Sequence, residues 1–225
     1  MAAPADALVF DLDHTLCTYR RSGEEILSLA FEAAEVVPFF AVEDYYEIFD
    51  DYVKESGDGR ENRARCFEAL ATEAGRSPGV GRRVADAFAA ERDHANVSWV
   101  PEAKAAFESL SERYPLALVT NGDREWQSAK LRGLGIEDRF ETIVYAGYET
   151  APKPDPEPFE VALDALDATP ERAVKIGNSL EHDVAGAHSA GLRSVWFDRD
   201  GVDDPTPTPD VRVESMDELL DEPWA

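Results

Sequence analysis

Four stretches of the sequence carry side chains suited to moving a phosphoryl group, and each follows a run that reads as a strand. Asp11 and Asp13 come directly after the apolar run Ala7-Leu8-Val9-Phe10. Thr120 and Asn121 close a run over 116–120, and Lys153, in Ala151-Pro152-Lys153-Pro154, follows a run over 142–146. Asn178, Ser179 and Asp183 follow a run over 173–176. Phosphoryl transfer needs a nucleophile in line with phosphorus, positive groups on the phosphoryl oxygens, a proton for the leaving oxygen, and a counter-charge. Asp11 can attack and carry the group as an aspartyl-phosphate. Asp13, two residues on, falls on the same face if strand pleating continues, and can act as acid and then as base. Thr120 and Asn121 are placed to bind the phosphate, and Lys153 adds a fixed positive charge. Asp11 and Asp183 offer the hard oxygens that Mg²⁺ takes, and Asn178 offers an amide oxygen beside them.

Such residues work only if a scaffold gathers them. Short buried strands alternating with amphipathic helices predict an α/β fold, a Rossmann-like parallel sheet with helices on both faces. Ligands then lie beyond the carboxyl ends of the strands, where all four stretches fall. Helices are expected from Pro101, from Asp123 to about 134 with Gly135 as the stop, over 159–166, over 182–190 and over 217–220. A further strand is expected over 194–197. The stretch 201–210, rich in Pro and Asp, reads as a loop. Residues 20–97 have a different texture. Ser22 and Glu25 have capping-box spacing, and Ile26, Leu29, Ala30, Ala33 and Val37 recur at helical period. So do Val42, Tyr45, Tyr46, Phe49 and Tyr52, then Phe67, Leu70, Ala71 and Ala74. Ser77-Pro78 then opens a fourth helix. The expected division is an α/β core of 1–19 and 98–225 with an all-α helical cap at 20–97.

Taken singly, these features have plainer readings: an Asp at a strand end often caps a helix, and Lys153 could be surface. Taken together and in order, they resemble the four motifs of the haloacid dehalogenase superfamily. The match runs through Asp11-Leu12-Asp13-His14-Thr15, Leu118-Val119-Thr120-Asn121-Gly122, Lys153-Pro154-Asp155-Pro156, and Gly177-Asn178-Ser179 with Asp183. The resemblance covers residues 7–200, with the all-α block where that family carries its helical cap. It implies a phosphatase working through an aspartyl-phosphate, with Mg²⁺ also held by the Asp13 main-chain carbonyl. It implies too that the cap closes over the site and contributes to substrate choice. Asp13 argues against a haloacid dehalogenase proper, which lacks an acid there because a halide leaves without a proton. Two positions depart from the pattern: Asn178 stands where the family usually has Asp, and His14 where Gly or Asn is common. A phosphonate hydrolase would need a cap lysine, for which Lys54 is the candidate. A phosphomutase shares the same motifs, and a phospho-accepting signalling module would use an Asp, a hydroxyl residue and a Lys without turnover.

The chain has 225 residues and 44% hydrophobic content, enough for a sizeable core. Its 47 acidic and 22 basic residues give a net charge of -25, which repels nucleic acids and anionic membranes. The expected partner is therefore a small phosphorylated substrate. The five lysines are outnumbered by seventeen arginines, and lysine scarcity with acid excess suggests a protein built for high salt. Two cysteines form no disulfide framework, and there is no signal segment or membrane-length apolar run, so a soluble cytoplasmic protein is expected. Tyr45, Tyr46, Phe49 and Tyr52 read as cap core, Arg60, Arg63 and Arg65 as a solvated helix face, and His94, His182 and His188 as structural.

Overall fold

A computed structural model describes residues 4–53 and 58–224. Lys54 lies outside the described residues. The chain forms two compact units, one of Met1–Thr18 with Val97–Ala225 and one of Tyr19–Asn96.

The first unit is built on a six-stranded parallel sheet. Its strands are β1 (Ala7–Phe10), β4 (Leu116–Asn121), β5 (Thr142–Ala146), β6 (Ala173–Gly177), β7 (Arg193–Phe197) and β8 (Val211–Val213), in the order β5-β4-β1-β6-β7-β8. All five pairings are parallel. Every residue of β1 is fully buried, as expected of a central strand covered on both faces. On one face Val9, Ala117, Val119 and Val144 pack against Phe159, Ala162 and Leu163 of helix α7 (Glu157–Leu166). On the other, Phe10 meets Phe107 of helix α5 (Ala103–Ser111) edge-on at 5.8 Å. Helix α6 (Arg124–Leu134) follows β4; the Asp123 side chain accepts from Glu125 N and Trp126 N, and Gly135 ends the helix at φ 72°. The chain runs outward from β1 to β4 and β5, then crosses back to β6 and outward again. The strand order thus reverses beside β1, where α/β sheets open a crevice.

The second unit is four helices: α1 (Gly23–Ala33), α2 (Val42–Val53), α3 (Gly59–Glu73) and α4 (Pro78–Glu91). Their shared core includes Ile26, Phe31, Tyr45, Phe67, Leu70, Val84 and Phe88. Phe67 is edge-on to both Tyr45 at 5.1 Å and Phe88 at 5.6 Å.

Several expectations are corrected. Two short strands, β2 (Cys17–Tyr19) and β3 (Val97–Trp99), pair with each other where the chain leaves and re-enters the α/β unit; three residues each are too few to show a period. Helix α1 stops at Ala33, so Val37 is 73% exposed rather than part of its stripe. Tyr46 is also exposed, its side chain set about a quarter turn round α2 from the buried Tyr45. Arg63 is buried against the Phe88 ring, 4.9 Å from its centroid, rather than on a solvated face. Ser77 makes no side-chain cap bond. The segment expected as a helix at 182–190 opens with a π turn (Leu180–Val184) before helix α8 (Ala185–Ser189), and the last helix is a 3₁₀ segment, Met216–Asp221. No helix among the described residues is long and apolar enough to cross a membrane.

Candidate active site

The ladder of β1 ends at Phe10, and the Asp11 amide makes one more bond, donating to Ile176 O at 2.9 Å. Asp11 is thereby fixed between the ends of β1 and β6. Its carboxylate meets Lys153, whose Nζ donates to Asp11 Oδ1 at 2.7 Å, Asp183 Oδ1 at 2.8 Å and Val119 O at 3.1 Å. These three bonds occupy all three ammonium donors. Lys153 is buried, and Asn121 holds its backbone: Lys153 N donates to Asn121 Oδ1 at 2.9 Å and Asn121 Nδ2 donates to Lys153 O at 3.2 Å. Asn121, expected to bind phosphate, therefore has both ends of its amide engaged in placing Lys153.

Asp183 sits in the π turn after β6. Its Oδ2 accepts from Ser179 N at 3.1 Å, and Lys175 Nζ lies 3.1 Å from Oδ1. Gly177 makes this possible, since a Cβ there would stand 2.3 Å from the Asp183 carboxylate carbon. Asn178 lies beside them, its Oδ1 accepting from Thr15 Oγ1 at 3.2 Å.

Asp13 does not share these partners. The pleat stops short of it, and its carboxylate turns to α6, where Lys130 Nζ contacts both of its oxygens at 2.7 Å. Gln127 Nε2 donates to Asp13 Oδ2 at 2.9 Å and to Thr120 Oγ1 at 2.6 Å. The structure thus gathers Asp11, Lys153 and Asp183 in one cluster, with Asp13 and Thr120 in a second network bridged by Gln127. His14 is exposed at φ 62°, with Nδ1 2.9 Å from Arg199 Nη1.

The charges follow from this packing. Burial and the neighbouring Asp183 charge raise the Asp11 carboxyl above the usual range, against the pull of Lys153. Burial would also raise Asp183, but Lys153 and Lys175 together hold it well below. Burial, joined by Lys153, pushes Lys175 down to about 8 despite Asp183. Lys153 goes the other way: two carboxylates outweigh its burial. At Asp13 the Lys130 ammonium overcomes burial, and the carboxyl lies low.

Reading the sequence missed Lys175, Lys130, Gln127 and Thr15. The signals were present: Lys175 interrupts a strand otherwise buried on both faces, and Gln127 and Lys130 stand at i, i+3 on one side of α6.

Among the described residues, no three His, Cys, Asp or Glu side chains converge as a ready-made metal cluster. The donor set still suits Mg²⁺. This ion is commonly bound by one or two carboxylates with water and substrate phosphate filling the rest, and Asp11 and Asp183 converge on a single ammonium.

Comparison with known proteins places this geometry. The family model described as haloacid dehalogenase-like hydrolase matches residues 5–191. A phosphoserine phosphatase of Thermus thermophilus is 38% identical over 161 residues, 70% of this chain and 64% of that protein. A ribulose-1,5-bisphosphate 5-phosphatase of Halopiger xanaduensis is 30% identical over 92% of the chain and 90% of its own length. Among solved structures, a 2-haloacid dehalogenase of Pseudomonas syringae is 27% identical, with a TM-score of 0.70 over 98% of this chain and 100% of that one. A magnesium-bound haloacid dehalogenase-type hydrolase of Bacillus subtilis shares the fold at 22% identity and a TM-score of 0.79, over 99% of this chain and 100% of that one. The chain belongs to the haloacid dehalogenase-like hydrolases. Within that family it falls with the phosphatases.

Proposed function

We propose that this phosphatase hydrolyses the phosphate ester of a small metabolite through an aspartyl-phosphate on Asp11, with Mg²⁺ as cofactor. The observation that carries the reading is the single buried ammonium of Lys153 bonded to both Asp11 and Asp183. Lys153 leaves the second oxygen of Asp11 available to attack phosphorus. As that O–P bond forms, the bond from phosphorus to the leaving oxygen breaks, and Asp13, which must first take up a proton against the pull of Lys130, gives it to the leaving alkoxide. Asp13, now a carboxylate, takes a proton from water. The water oxygen attacks phosphorus, the Asp11–phosphorus bond breaks, and inorganic phosphate and free Asp11 result. The Thr120 hydroxyl hydrogen bears on a phosphoryl oxygen, and the Lys153 ammonium, its three donors already engaged, adds its positive charge nearby. Asp11, Asp183, the Asp13 main-chain carbonyl and the Asn178 amide oxygen would hold the Mg²⁺. When bound, it supplies the positive charge that keeps buried Asp11 ionised and offsets charge on the phosphoryl group. The relatives named phosphoserine phosphatase and ribulose-1,5-bisphosphate 5-phosphatase support a small phosphorylated metabolite as the substrate class.

The two carboxylates are separated by their variants. Asp11→Asn abolishes turnover of every phosphoester. Asp13→Asn stalls alkyl phosphates at the first step, because an alkoxide leaves badly without a proton. A nitrophenyl phosphate still phosphorylates Asp11 in this variant, then hydrolyses about 10²–10⁴-fold more slowly than in the parent, the usual range for a lost acid–base group. Intact-mass analysis after rapid quenching should find the phosphate adduct on Asp13→Asn and none on Asp11→Asn. An adduct on Asp11→Asn, or unchanged alkyl phosphate hydrolysis by Asp13→Asn, defeats the assignment.

A further inference from the structure

Helix α6 buries three polar side chains: Ser128, which pairs with the Tyr145 hydroxyl, and two more one turn apart. Gln127 is 2% exposed and Lys130 is 5% exposed. Burying an ammonium and an amide on the inward stripe of a short amphipathic helix is a poor way to stabilise it. Apolar residues of similar volume in place of a buried ion pair are often as stable or more so. Both side chains end on the same carboxylate, that of Asp13. The burial of this pair is one-sided: the Lys130 side chain is 7% exposed, whereas that of Asp13 is 34% exposed. The carboxylate is gripped from the protein side and open on the other.

Gln127 adds a second constraint. Its amide nitrogen has two hydrogens, one bonded to Asp13 Oδ2 and one to Thr120 Oγ1. Because Thr120 Oγ1 accepts from Gln127, its own hydrogen points elsewhere, free for a phosphoryl oxygen. Room for the amide comes from Gly122, at φ 149°, where a Cβ would lie 3.1 Å from the Gln127 amide carbon.

We propose that Lys130 and Gln127 are positioning residues of the reaction: they fix the Asp13 carboxylate, and Gln127 also aligns the Thr120 hydroxyl. The proposal rests on the acid–base role of Asp13 given above. It assigns to α6 a task separate from that of Lys153, which serves Asp11 and Asp183. A misplaced Asp13 transfers its proton poorly, so the defect must depend on the leaving group, as a general loss of folding would not.

The test compares Lys130→Met, Gln127→Leu, Asp13→Asn and the two double variants with Asp13→Asn, on an alkyl and a nitrophenyl phosphate with Mg²⁺. Lys130→Met should lower kcat for the alkyl phosphate about 10²-fold, the scale of a misplaced catalytic group, with KM nearly unchanged. With nitrophenyl phosphate the same variant should release a burst of nitrophenol and accumulate the phosphate adduct. Gln127→Leu should show the same pattern, and Lys130→Arg should recover part of the alkyl phosphate rate. Lys130→Met should not lower the activity of Asp13→Asn further, since it has nothing left to position, whereas Gln127→Leu should lower it only by the smaller share that acts through Thr120. Equal losses on both substrates without an adduct, wild-type rates in both variants, or a fully additive loss from Lys130→Met in the Asp13→Asn background would overturn the proposal. If Lys130→Met does not fold, Gln127→Leu decides by the same readouts. Should Asp13→Asn itself show no leaving-group dependence, the acid–base reading of Asp13 falls first and takes the positioning role with it.

Discussion

Asn178 is the one residue of the proposed metal-binding set whose side chain carries no charge, and its neighbours make that absence matter. Asp11 and Asp183 contribute two negative charges, and Lys153 and Lys175 two positive ones. Asn178→Asp adds a third carboxylate beside them without disturbing Thr15, whose hydroxyl can donate to either side chain. The added charge should tighten Mg²⁺ binding several-fold, lowering both the half-saturating concentration for activity and the dissociation constant measured by calorimetry. An unchanged value by both methods would put residue 178 outside the ion's field. At this scale the sequence was most legible in which motif side chains gather: Asp11, Lys153 and Asp183, singled out at three separate strand ends, meet in one cluster. It was least legible where a side chain acts on another side chain. Asn121 stands out in the sequence for its amide, but the bonds of that amide to the Lys153 backbone, 32 residues on, are not announced by any neighbouring residue. The i, i+3 spacing of Gln127 and Lys130 marks them as a pair, but their shared partner Asp13 lies 114 and 117 residues away, where no local pattern names it.

The elements themselves followed from period and punctuation. The four core strand ends, the cap of α6 at Asp123 and its stop at Gly135 were all readable, since each rests on local chemistry. What escaped depends on tertiary context. In the π turn both Asp183 N and Val184 N bond Ser179 O, and no sequence period announces the widened turn. In the helical unit the same holds for the approach of α4 to α3. A Cβ at Gly81 would stand 2.1 Å from Phe67 O and 2.4 Å from Phe67 C, atoms of the α3 backbone that cannot swing aside. Within α4, Gly79 has nothing within 4 Å of the same position and serves as the control. Alanine is favoured over glycine in a helix by about 1 kcal/mol, so Gly79→Ala should leave the thermal midpoint unchanged or raised. At Gly81 the overlap wins: overpacking costs about 1–3 kcal/mol, and Gly81→Ala should lower the midpoint by several degrees. Equal midpoints for the two variants would show that α3 and α4 can separate at little cost.

Over the whole molecule, the placement of the few lysines is itself informative. Of the four lysines among the described residues, Lys130, Lys153 and Lys175 are buried at the proposed site, and Lys104 alone is on the surface, beside Glu108. The surface cations are otherwise arginines, many already paired with acids, as Arg21 is with Glu25 and Arg82 with Glu61 and Glu68. Such exposed pairs contribute little and leave most of the 47 carboxylates unbalanced. With a net charge of -25, the folded chain repels itself more than the expanded chain does. Salt relieves this repulsion by shortening the screening length from about 30 Å at 0.01 M to about 3 Å at 1 M. The buried Lys153 cluster is screened far less, so salt should weaken the repulsion and spare the site. The thermal midpoint should therefore rise steadily from low to molar KCl, and the KM for an anionic phosphoester should fall over the lower part of that range, as the molecule's repulsion of its substrate is screened. A midpoint that stays flat or falls with KCl would show that the acid excess places no demand on salt, and the high-salt reading of the composition would fail.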